Sequence, residues 1–338
     1  MYLSFASGLD KGFWEIKRFL SVGYFFKTAY GEKRGYMMKK VKILLSAYNG
    51  ERYIEEQLQS LFAQTYPDIE IYVRDDGSVD GTLQILRKYA GKGQITLYEG
   101  ENVGYRKSFH WLLAHCGDAE YISFCDQDDI WFPDKIEVSV KGLQGLDGCP
   151  AVYMTDFYWC DEEAEPLREN NAYKRKHGLQ KYIARGDLEE FGFTMVMNRR
   201  VFLAIRDKDC TAYCAHDEVV YQYCLCNGKV IFGQRPEAYY RRHGDNASPQ
   251  ELVGGNYFSH FMWRIREFLL QDRRDEIYQQ AEEFLQCFWE ELPQEKREIY
   301  QFYLEKGHRF KKAVWRGRYR DTLLDEFCIR VMFLLGRV

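Results

Sequence analysis

The stretch YISFCDQDDIWFPDKI (residues 121–136) decides the fold of this chain. Five apolar or small residues run directly into three carboxylates, Asp126, Asp128 and Asp129. A short apolar run that ends in polar turn residues predicts a buried strand. Carboxylates this close repel one another, and a D-x-D sequence after a strand suits Mg²⁺ or Mn²⁺, which prefer carboxylate oxygens. A surface turn with an aspartate helix cap before Pro133 explains the same residues without a metal.

Working outward from this stretch, strands and helices alternate. The pattern predicts strands at 41–47, 69–74, 95–99 and 120–125, and helices at 51–64, 80–90 and 105–116. Such alternation indicates βαβ units and a mostly parallel α/β sheet with flanking helices. Sheets of this kind bind ligands beyond the carboxyl ends of their strands.

Polar clusters follow three of these strands: AYNG (47–50), RDDGSVDGT (74–82) and DQDD (126–129). We expect them to meet at one edge of the sheet. A carboxylate at Asp76 suits the imide N–H of a uracil or thymine ring, because it is an acceptor at that edge. An Asx-turn leading to a helix cap at Asp80 is an equally simple interpretation, and both can hold together.

Beyond residue 150 the pattern is less regular. It predicts a strand at 151–159, a polar loop or lid at 161–190 and a strand-like segment at 192–198. A helix at 216–226 is followed by two strands, KVIFG (229–233) and EAYYRR (237–242). From about residue 256 the chain reads as helical and is rich in aromatic and basic residues.

The segments SAYNGERYIEEQLQSLFAQTYPDIEIYVRDDGSVDGT (46–82) and DQDDIWFPDKI (126–136) together resemble the family 2 glycosyltransferases of the GT-A fold. The DQDDIW form is similar to the bacterial branch that contains rhamnosyltransferases. The resemblance covers roughly residues 41–245. It implies a Rossmann-like GT-A sheet with a helical C-terminal appendage. The domains would be a basic extension (1–40), the GT-A domain (41–250, with a nucleotide-sugar half at 41–150 and an acceptor half at 151–250) and a helical region (251–338).

The resemblance also implies roles for residues at matching positions. Those expected to contact the donor nucleotide are Ala47, Tyr48, Glu51, Asp76 and Asp126, with Asp126 near the ribose. Asp128 would hold the divalent cation, and Asp129 would orient the sugar or support the metal. In YYRRHGDN (239–246), His243 would contact the metal or diphosphate, and Arg241 and Arg242 would be available to the phosphates.

For the catalytic base, the resemblance points to the start of the helix in HDEVV (216–220). An inverting transfer needs a carboxylate that takes the proton of the acceptor hydroxyl, and Asp217, with His216 beside it, fits that role. Many relatives carry aromatic residues next, whereas Glu218 and Val219 follow here. A first-turn carboxylate that favours the helix dipole is the alternative for Asp217. GFTM (192–195) falls where the family lines the acceptor site, with Phe193 in place of a smaller residue.

Charge is spread unevenly over the 338 residues, whose net charge is −4. Residues 1–40 carry eight Lys and Arg against three Asp and Glu, and residues 306–338 carry nine against three. Basic ends on an acidic body predict contact with an anionic surface such as the inner face of a membrane, and simple solvation explains the same charges. The acidic body disfavours a nucleic-acid partner. No apolar run is long enough to span a membrane, and ten cysteines without disulfide-scaffold spacing predict a cytoplasmic protein.

The predicted function is therefore a metal-dependent, inverting glycosyltransferase that uses a dTDP- or UDP-sugar and a glycan or lipid-linked acceptor. Three alternatives remain at this point. A structural zinc module would use Cys210, Cys214, His216, Cys224 and Cys226. A nucleotidyltransferase would also place paired aspartates on Mg²⁺, although the glycine-rich basic loop typical of that class is missing. The third is a nucleotide-sugar-binding protein without catalysis.

Overall fold

A computed structural model describes residues 39–170, 178–185, 191–244, 274–305, 307–320 and 323–336. The predicted basic extension at 1–40 therefore lies outside the described residues, apart from its last two. The strands are β1 Val41–Ala47, β2 Ile69–Asp75, β3 Thr96–Glu99, β4 Tyr121–Cys125, β5 Ile130–Trp131, β6 Ala151–Cys160, β7 Pro166–Glu169, β8 Met195–Asn198 and β9 Lys229–Arg241.

Helices flank the strands and follow them at the C-terminal end. They are α1 Ile54–Phe62, α2 Thr82–Ala90, α3 Tyr105–His115, α4 Lys135–Leu143, α5 Leu179–Arg185, α6 Arg199–Ile205, α7 His216–Asn227, α8 Arg274–Phe288, α9 Gln294–Leu304, α10 Arg309–Ala313 and α11 Leu323–Leu335. The strands form one sheet in the order β3-β2-β1-β4-β8-β6-β9-β5, with β7 beside β6. The predicted GT-A architecture with C-terminal helices is confirmed.

Strand β1 lies at the centre of the parallel half of the sheet, between β2 and β4. Its side chains alternate between two cores: Ile43 and Leu45 pack on one face with α1, and Leu44 packs on the other with α3. Since both faces are covered, the strand reads as a continuous apolar run rather than an alternating one.

The second half of the sheet is mixed, because β8 runs antiparallel to both β4 and β6. Strand β9 pairs in parallel with β6 over its whole length, so the two strands predicted at 229–233 and 237–242 are one. Met154 of β6 pairs with Phe232 of β9, and Asp156 pairs with Pro236, so the register shifts between these two pairs. The residues of β9 between Phe232 and Pro236 therefore form a bulge. A bulge accommodates the glycine and proline of this stretch without ending the strand.

The C-terminal helices pack onto the sheet domain. Phe284, Tyr300 and Phe333, from three of these helices, belong to the same apolar core as Leu44 and Met154 of the sheet. The predicted loop at 161–190 also contains structure, namely β7 and α5, whose Tyr182 and Ile183 are buried in that core. Its residues 171–177 and 186–190, like 256–273 of the predicted helical region, lie outside the described part.

Candidate functional site

The carboxyl ends of β1, β2 and β4 meet at one edge of the sheet. In the parallel register, Ala47 lies opposite Asp75, and Leu45 lies opposite Cys125, the residue before Asp126. The three polar clusters therefore start side by side, as the sequence predicted.

The loop after β1 is bonded to the loop after β2. The amide of Asn49 donates to Ser78 Oγ (3.0 Å), and the side-chain oxygen of Asn49 accepts from the amide of Val79 (2.9 Å). Asn49 has a φ of 48°, a left-handed conformation that asparagine tolerates better than most residues. The carboxylate of Glu51 accepts from the amide of Gly81, so in this structure Glu51 positions the second loop.

Gln127, between the aspartates, joins this loop to the acidic cluster. Its Oε1 accepts from the amide of Tyr48 (2.8 Å), and its Nε2 donates to the carbonyl of Tyr48 (2.9 Å). A Cβ at Gly50 would lie 2.2 Å from Gln127 Oε1, so a larger residue there would displace the Gln127 side chain from these bonds. Tyr48 itself is 43% exposed and remains accessible to a ligand. Sequence reasoning missed Gln127, although its place inside DQDD was the available signal.

Asp76 is buried at the end of β2, with 2% of its surface exposed. Its carboxylate accepts hydrogen bonds from Arg74, from the amide of Val103 (3.1 Å) and from that of Gly104 (2.9 Å). Its neighbour Asp75 accepts from the amides of the glycine turn that follows. Asp76 therefore links the second and third βα loops, and its contact with a base stays a prediction.

The acidic cluster after β4 is crowded. Burial, reinforced by the charge of Asp128, raises the pKa of both Asp126 and Asp129 above the usual aspartate range. Asp129 is 1% exposed; its Oδ1 accepts from the amide of Arg241 (3.3 Å), and its Oδ2 has no hydrogen-bond partner. Asp128 is more accessible, and its Oδ2 lies 2.7 Å from Nε2 of His243.

The side chains at this site can supply some of the ligands that a hard divalent cation needs. Asp128 and His243, brought together from β4 and the end of β9, offer one oxygen and one nitrogen. Among the described residues, no group of three His, Cys, Asp or Glu side chains is arranged to hold a metal alone. Two protein ligands suit Mg²⁺ or Mn²⁺, because these ions usually take the remaining positions from water and substrate phosphates.

Arg241 is buried and hydrogen-bonded, whereas Arg242 is half-buried beside an aromatic ring. Arg241 is 3% exposed, and its guanidinium donates to the carbonyl of Asp128 (2.9 Å), to that of Glu162 and to the carboxylate of Glu56 (2.6 Å). These bonds fix the acidic cluster against β9, and the phosphate contact of Arg241 stays a prediction. Arg242 is half-buried with its guanidinium 5.3 Å above the ring of Trp159.

Asp217 is placed in the first turn of α7 beside this cluster. Its Oδ2 accepts from the amide of Gly192 (3.2 Å) and its Oδ1 from that of Glu218 (2.9 Å). Its charge adds to the effects of burial and of Asp128 in raising the pKa of Asp126. Burial together with Asp217 raises the pKa of Glu218 to about 8.

His216, expected beside the base, and Phe193, expected to line the acceptor site, lie among aromatic side chains. The ring of His216 is 3.9 Å from that of Phe109 and 4.4 Å from that of Phe124, and burial lowers its pKa. Phe193 has no exposed surface and stacks on Tyr240 with ring centroids 5.3 Å apart. Phe193 is thus a core residue of the sheet.

The zinc alternative gains no support from the described residues. The cysteines of that region are free, and no metal-binding group of three forms there. Cys224 has no exposed surface and packs in the main apolar core.

Part of the chain matches a known protein family. Residues 42–206 match the family model described as glycosyl transferase family 2. Uncharacterized glycosyltransferases of Rickettsia typhi, Rickettsia felis and Rickettsia conorii are 33–35% identical over 127–130 residues, which are 38% of this chain and only 21–39% of those proteins. The dTDP-rhamnosyl transferase RfbG of Shigella flexneri is 27% identical over 216 residues, which are 60% of this chain and 72% of that protein.

Solved structures share the fold. The S. aureus TarS fragment in complex with UDP-GlcNAc has a TM-score of 0.52 at 17% identity, over 88% of this chain and 92% of that one. The mannosyltransferase PcManGT from Pyrobaculum calidifontis, in complex with GDP-Man and Mn²⁺, has a TM-score of 0.51 at 16% identity, over 95% and 82%. At these identities the likeness establishes the architecture.

Proposed function

We propose that this chain is an inverting, divalent-metal-dependent glycosyltransferase, because residues 42–206 match the family model described as glycosyl transferase family 2. The observation that carries the proposal is the meeting of Asp128 and His243 at the strand ends, with Asp217 electrostatically coupled to the same cluster. The acceptor is a hydroxyl of a cell-surface polysaccharide or a lipid-linked glycan.

The proposed donor is a nucleoside diphosphate sugar held by the loops after β1 and β2. Tyr48 is exposed beside Gln127, and Ala47 and Asp76 are buried at the ends of the neighbouring strands β1 and β2. A dTDP-sugar such as dTDP-rhamnose is favoured by the likeness to the Shigella flexneri enzyme, and a UDP-sugar is the second choice.

In the proposed reaction, the acceptor oxygen bonds to the anomeric carbon as the bond from that carbon to the diphosphate oxygen breaks. Asp217 takes the proton of the hydroxyl, since its carboxylate is held at the start of α7 by two backbone amides. A bound Mg²⁺ or Mn²⁺ would offset the negative charge of the departing diphosphate. Asp128 and His243 would hold that ion, and Asp126 would face the ribose.

The decisive experiment measures nucleoside diphosphate release from a panel of sugar donors with Mn²⁺, with Mg²⁺ and with EDTA. We expect slow, metal-dependent release from one donor, and loss of at least 100-fold in Asp128→Asn because a metal ligand is removed. Asp118→Asn is the matched control, since Asp118 lies on the surface in an ion pair with Arg199. Metal-independent release, or full activity in Asp128→Asn, would contradict the metal assignment.

The variant Asp217→Asn distinguishes binding of the donor nucleotide from glycosyl transfer. We expect the variant to bind the donor nucleotide as the wild type does, measured by calorimetry, and to lose glycosyl transfer by at least 100-fold. Asp207→Asn, another exposed aspartate, should change neither. Normal transfer in Asp217→Asn would remove it as the base. Donor binding without turnover of any acceptor by the wild type would favour the non-catalytic alternative.

We further propose that the C-terminal helices contact an anionic membrane surface. Leu323, Phe327 and Leu334 are 81%, 65% and 50% exposed, and their spacing places them on one side of α11. The neighbouring α10 and the turn after it expose the basic residues Arg309, Lys311 and Arg316. Among the described residues, no helix has the length and hydropathy needed to cross a bilayer. Exposed apolar side chains beside basic ones are typical of interfacial helices.

A further inference from the structure

Two cysteine side chains meet where the end of α8 packs against the segment between α6 and α7. The thiols of Cys210 and Cys287 share a hydrogen bond, and Cys287 Sγ also contacts the carbonyl of Asp209 (3.4 Å). The ammonium group of Lys208 donates to the carbonyl of Cys287 (3.1 Å), so the two stretches of chain run side by side here. Neither thiol has a role in the glycosyl transfer proposed above.

The two thiols differ in their access to solvent. Cys287 is partly exposed, a property that it shares only with Cys149 among the cysteines of this chain. Every other cysteine is buried, and Cys210 is 3% exposed. A small oxidant in solution can therefore reach Cys287, whereas Cys210 lies behind it and is shielded from direct attack.

The surroundings of Cys287 favour its thiolate form. The hydrogen bond from Cys210 lowers the pKa of Cys287, and the charge of Lys208 acts in the same direction. Burial and the carboxylates of Glu283 and Asp209 oppose this change. The same hydrogen bond raises the pKa of Cys210, which stays protonated as the donor. Because the thiolate is the form that reacts with peroxides, Cys287 is the more reactive of the two residues.

We propose that Cys287 and Cys210 form a peroxide-sensitive dithiol, in which Cys287 is oxidised first and Cys210 then forms a disulfide with it. In the first step the sulfur of Cys287 attacks hydrogen peroxide, the O–O bond breaks, and a sulfenic acid forms as hydroxide leaves. In the second step the sulfur of Cys210 bonds to that of Cys287 while the S–OH bond breaks, and the hydroxyl leaves with the thiol proton as water. The hydroxide of the first step takes up the proton that Cys287 released. The thiols thus lose two electrons, and the peroxide is reduced to two water molecules.

A disulfide at this place would cross-link α8 to the segment that carries the proposed base. The sulfur atoms would have to approach to about 2.05 Å, which is much closer than a hydrogen bond between thiols allows. The amides of Ala212 and Cys214, which follow Cys210, donate to Glu283 of α8, so a shift of this segment is transmitted along it towards Asp217. We expect glycosyl transfer to fall. This effect on transfer rests on the proposed function, whereas formation of the disulfide does not.

Mass spectrometry of unreduced peptides tests the site directly. The full chain is treated with hydrogen peroxide at neutral pH, and the remaining thiols are blocked with iodoacetamide before digestion. We expect a disulfide between Cys210 and Cys287 that dithiothreitol reverses. In Cys210→Ser, oxidation of Cys287 should stop at the sulfenic acid, which dimedone traps, because the second thiol is missing. Cys149→Ser, at the other partly exposed cysteine, is the control and should form the disulfide as the wild type does.

Oxidation of Cys149 while Cys287 stays reduced would overturn the proposal, because exposure alone would then decide which thiol reacts. A disulfide between Cys287 and Cys214 would also overturn it, since it would remove Cys210 as the second thiol. Cys214 is the nearest competitor, and its Sγ instead contacts the carbonyl of Gln280 (3.3 Å).

A second measurement follows nucleoside diphosphate release and donor nucleotide affinity before and after peroxide. We expect release to fall several-fold, to recover with dithiothreitol, and to be insensitive to peroxide in Cys287→Ser, while nucleotide affinity stays constant. Full activity of the oxidised protein would overturn the effect on the base. Donor nucleotide binding by the untreated chain is measured in the same samples, so its absence would mark failure of the proposed function rather than of the dithiol.

Discussion

Lys135 is a lysine whose side chain has no exposed surface. Its Nζ contacts Thr155 Oγ1 (3.2 Å) and lies 4.5 Å above the ring of Trp131. Burial lowers the pKa of Lys135 to about 7, against the opposing effect of Glu237. Unlike the site carboxylates, this charge has no part in the proposed reaction, so it is a cost to stability at neutral pH.

The cost of Lys135 makes the stability of the protein depend on pH. The unfolded chain keeps the lysine protonated up to about pH 10.5, and the folded chain only up to about pH 7. Between these values the unfolded state binds more protons, so the free energy of unfolding rises with pH. We predict that the wild type gains about 2 kcal/mol relative to Lys135→Met between pH 7 and pH 9, measured by urea unfolding.

Lys141→Met is the control for that measurement, because Lys141 lies on the same helix but is exposed and paired with Glu137. Its stability should run parallel to that of the wild type at every pH. A constant difference between the wild type and Lys135→Met would show that Lys135 does not titrate in this range.

At the residue level, the sequence allowed prediction of those positions that follow from the spacing of residues along the chain. Asp126 and Asp128 were predictable because carboxylates end an apolar run. Gln127 was not, since its role depends on the backbone of Tyr48, which is 79 residues away along the chain. The phosphate contact predicted for Arg241 stays a prediction. Its bonds to two carbonyls and to Glu56 could not be predicted, because only the folded chain brings these groups together.

Helix α8 positions the segment that carries the proposed base. The carboxylate of Glu283 accepts from the amides of Ala212 (2.9 Å), Tyr213 (2.8 Å) and Cys214 (2.7 Å). Gln280, one turn earlier, donates to Glu218 (3.1 Å), next to Asp217. One helix of the C-terminal region therefore fixes the segment that carries the proposed base.

We predict that Glu283→Gln loosens this segment. The amide side chain has one acceptor oxygen in place of two, so at least one backbone N–H is left without a partner, which costs about 1–3 kcal/mol of stability. Glycosyl transfer should fall several-fold while donor nucleotide affinity is unchanged, since the donor loops are on other elements. Glu282→Gln, at the exposed neighbouring residue, should resemble the wild type. An equal loss of donor affinity in Glu283→Gln would show general unfolding rather than a local effect.

Whole elements were predicted well where one periodicity covers the segment, as in β1 and α3. Strand β9 was divided in the prediction because Gly233 and Pro236 usually end strands. Its long parallel partner β6 instead absorbs the extra residues in a bulge. Short β7 and α5 were missed because four and seven residues are too few to show a clear periodicity.

On the scale of the whole molecule, the sheet and the C-terminal helices share a core, and several exposed apolar residues lie on the last two helices. A Cβ on Gly336 would lie 2.3 Å from Arg309 Cζ, so the end of α11 adjoins the start of α10. This contact brings exposed Leu334 and Leu335 close to Phe310, which is 69% exposed. An apolar patch beside arginines, on a chain whose central part is acidic, favours one orientation on an anionic surface.

We predict that the full chain binds vesicles containing phosphatidylglycerol and not vesicles of phosphatidylcholine alone, as measured by co-sedimentation. Binding should weaken as salt is raised from 0.05 to 0.5 M, about a threefold shorter Debye length, because basic residues supply part of the attraction. Phe327→Ser combined with Leu334→Ser should lower the affinity at least fivefold, since both apolar contacts are lost. Leu203→Ser, at a partly exposed leucine of α6, should have no effect. Equal binding to both vesicle types would exclude charge recognition, and wild-type affinity in the double variant would exclude α11 as the contact.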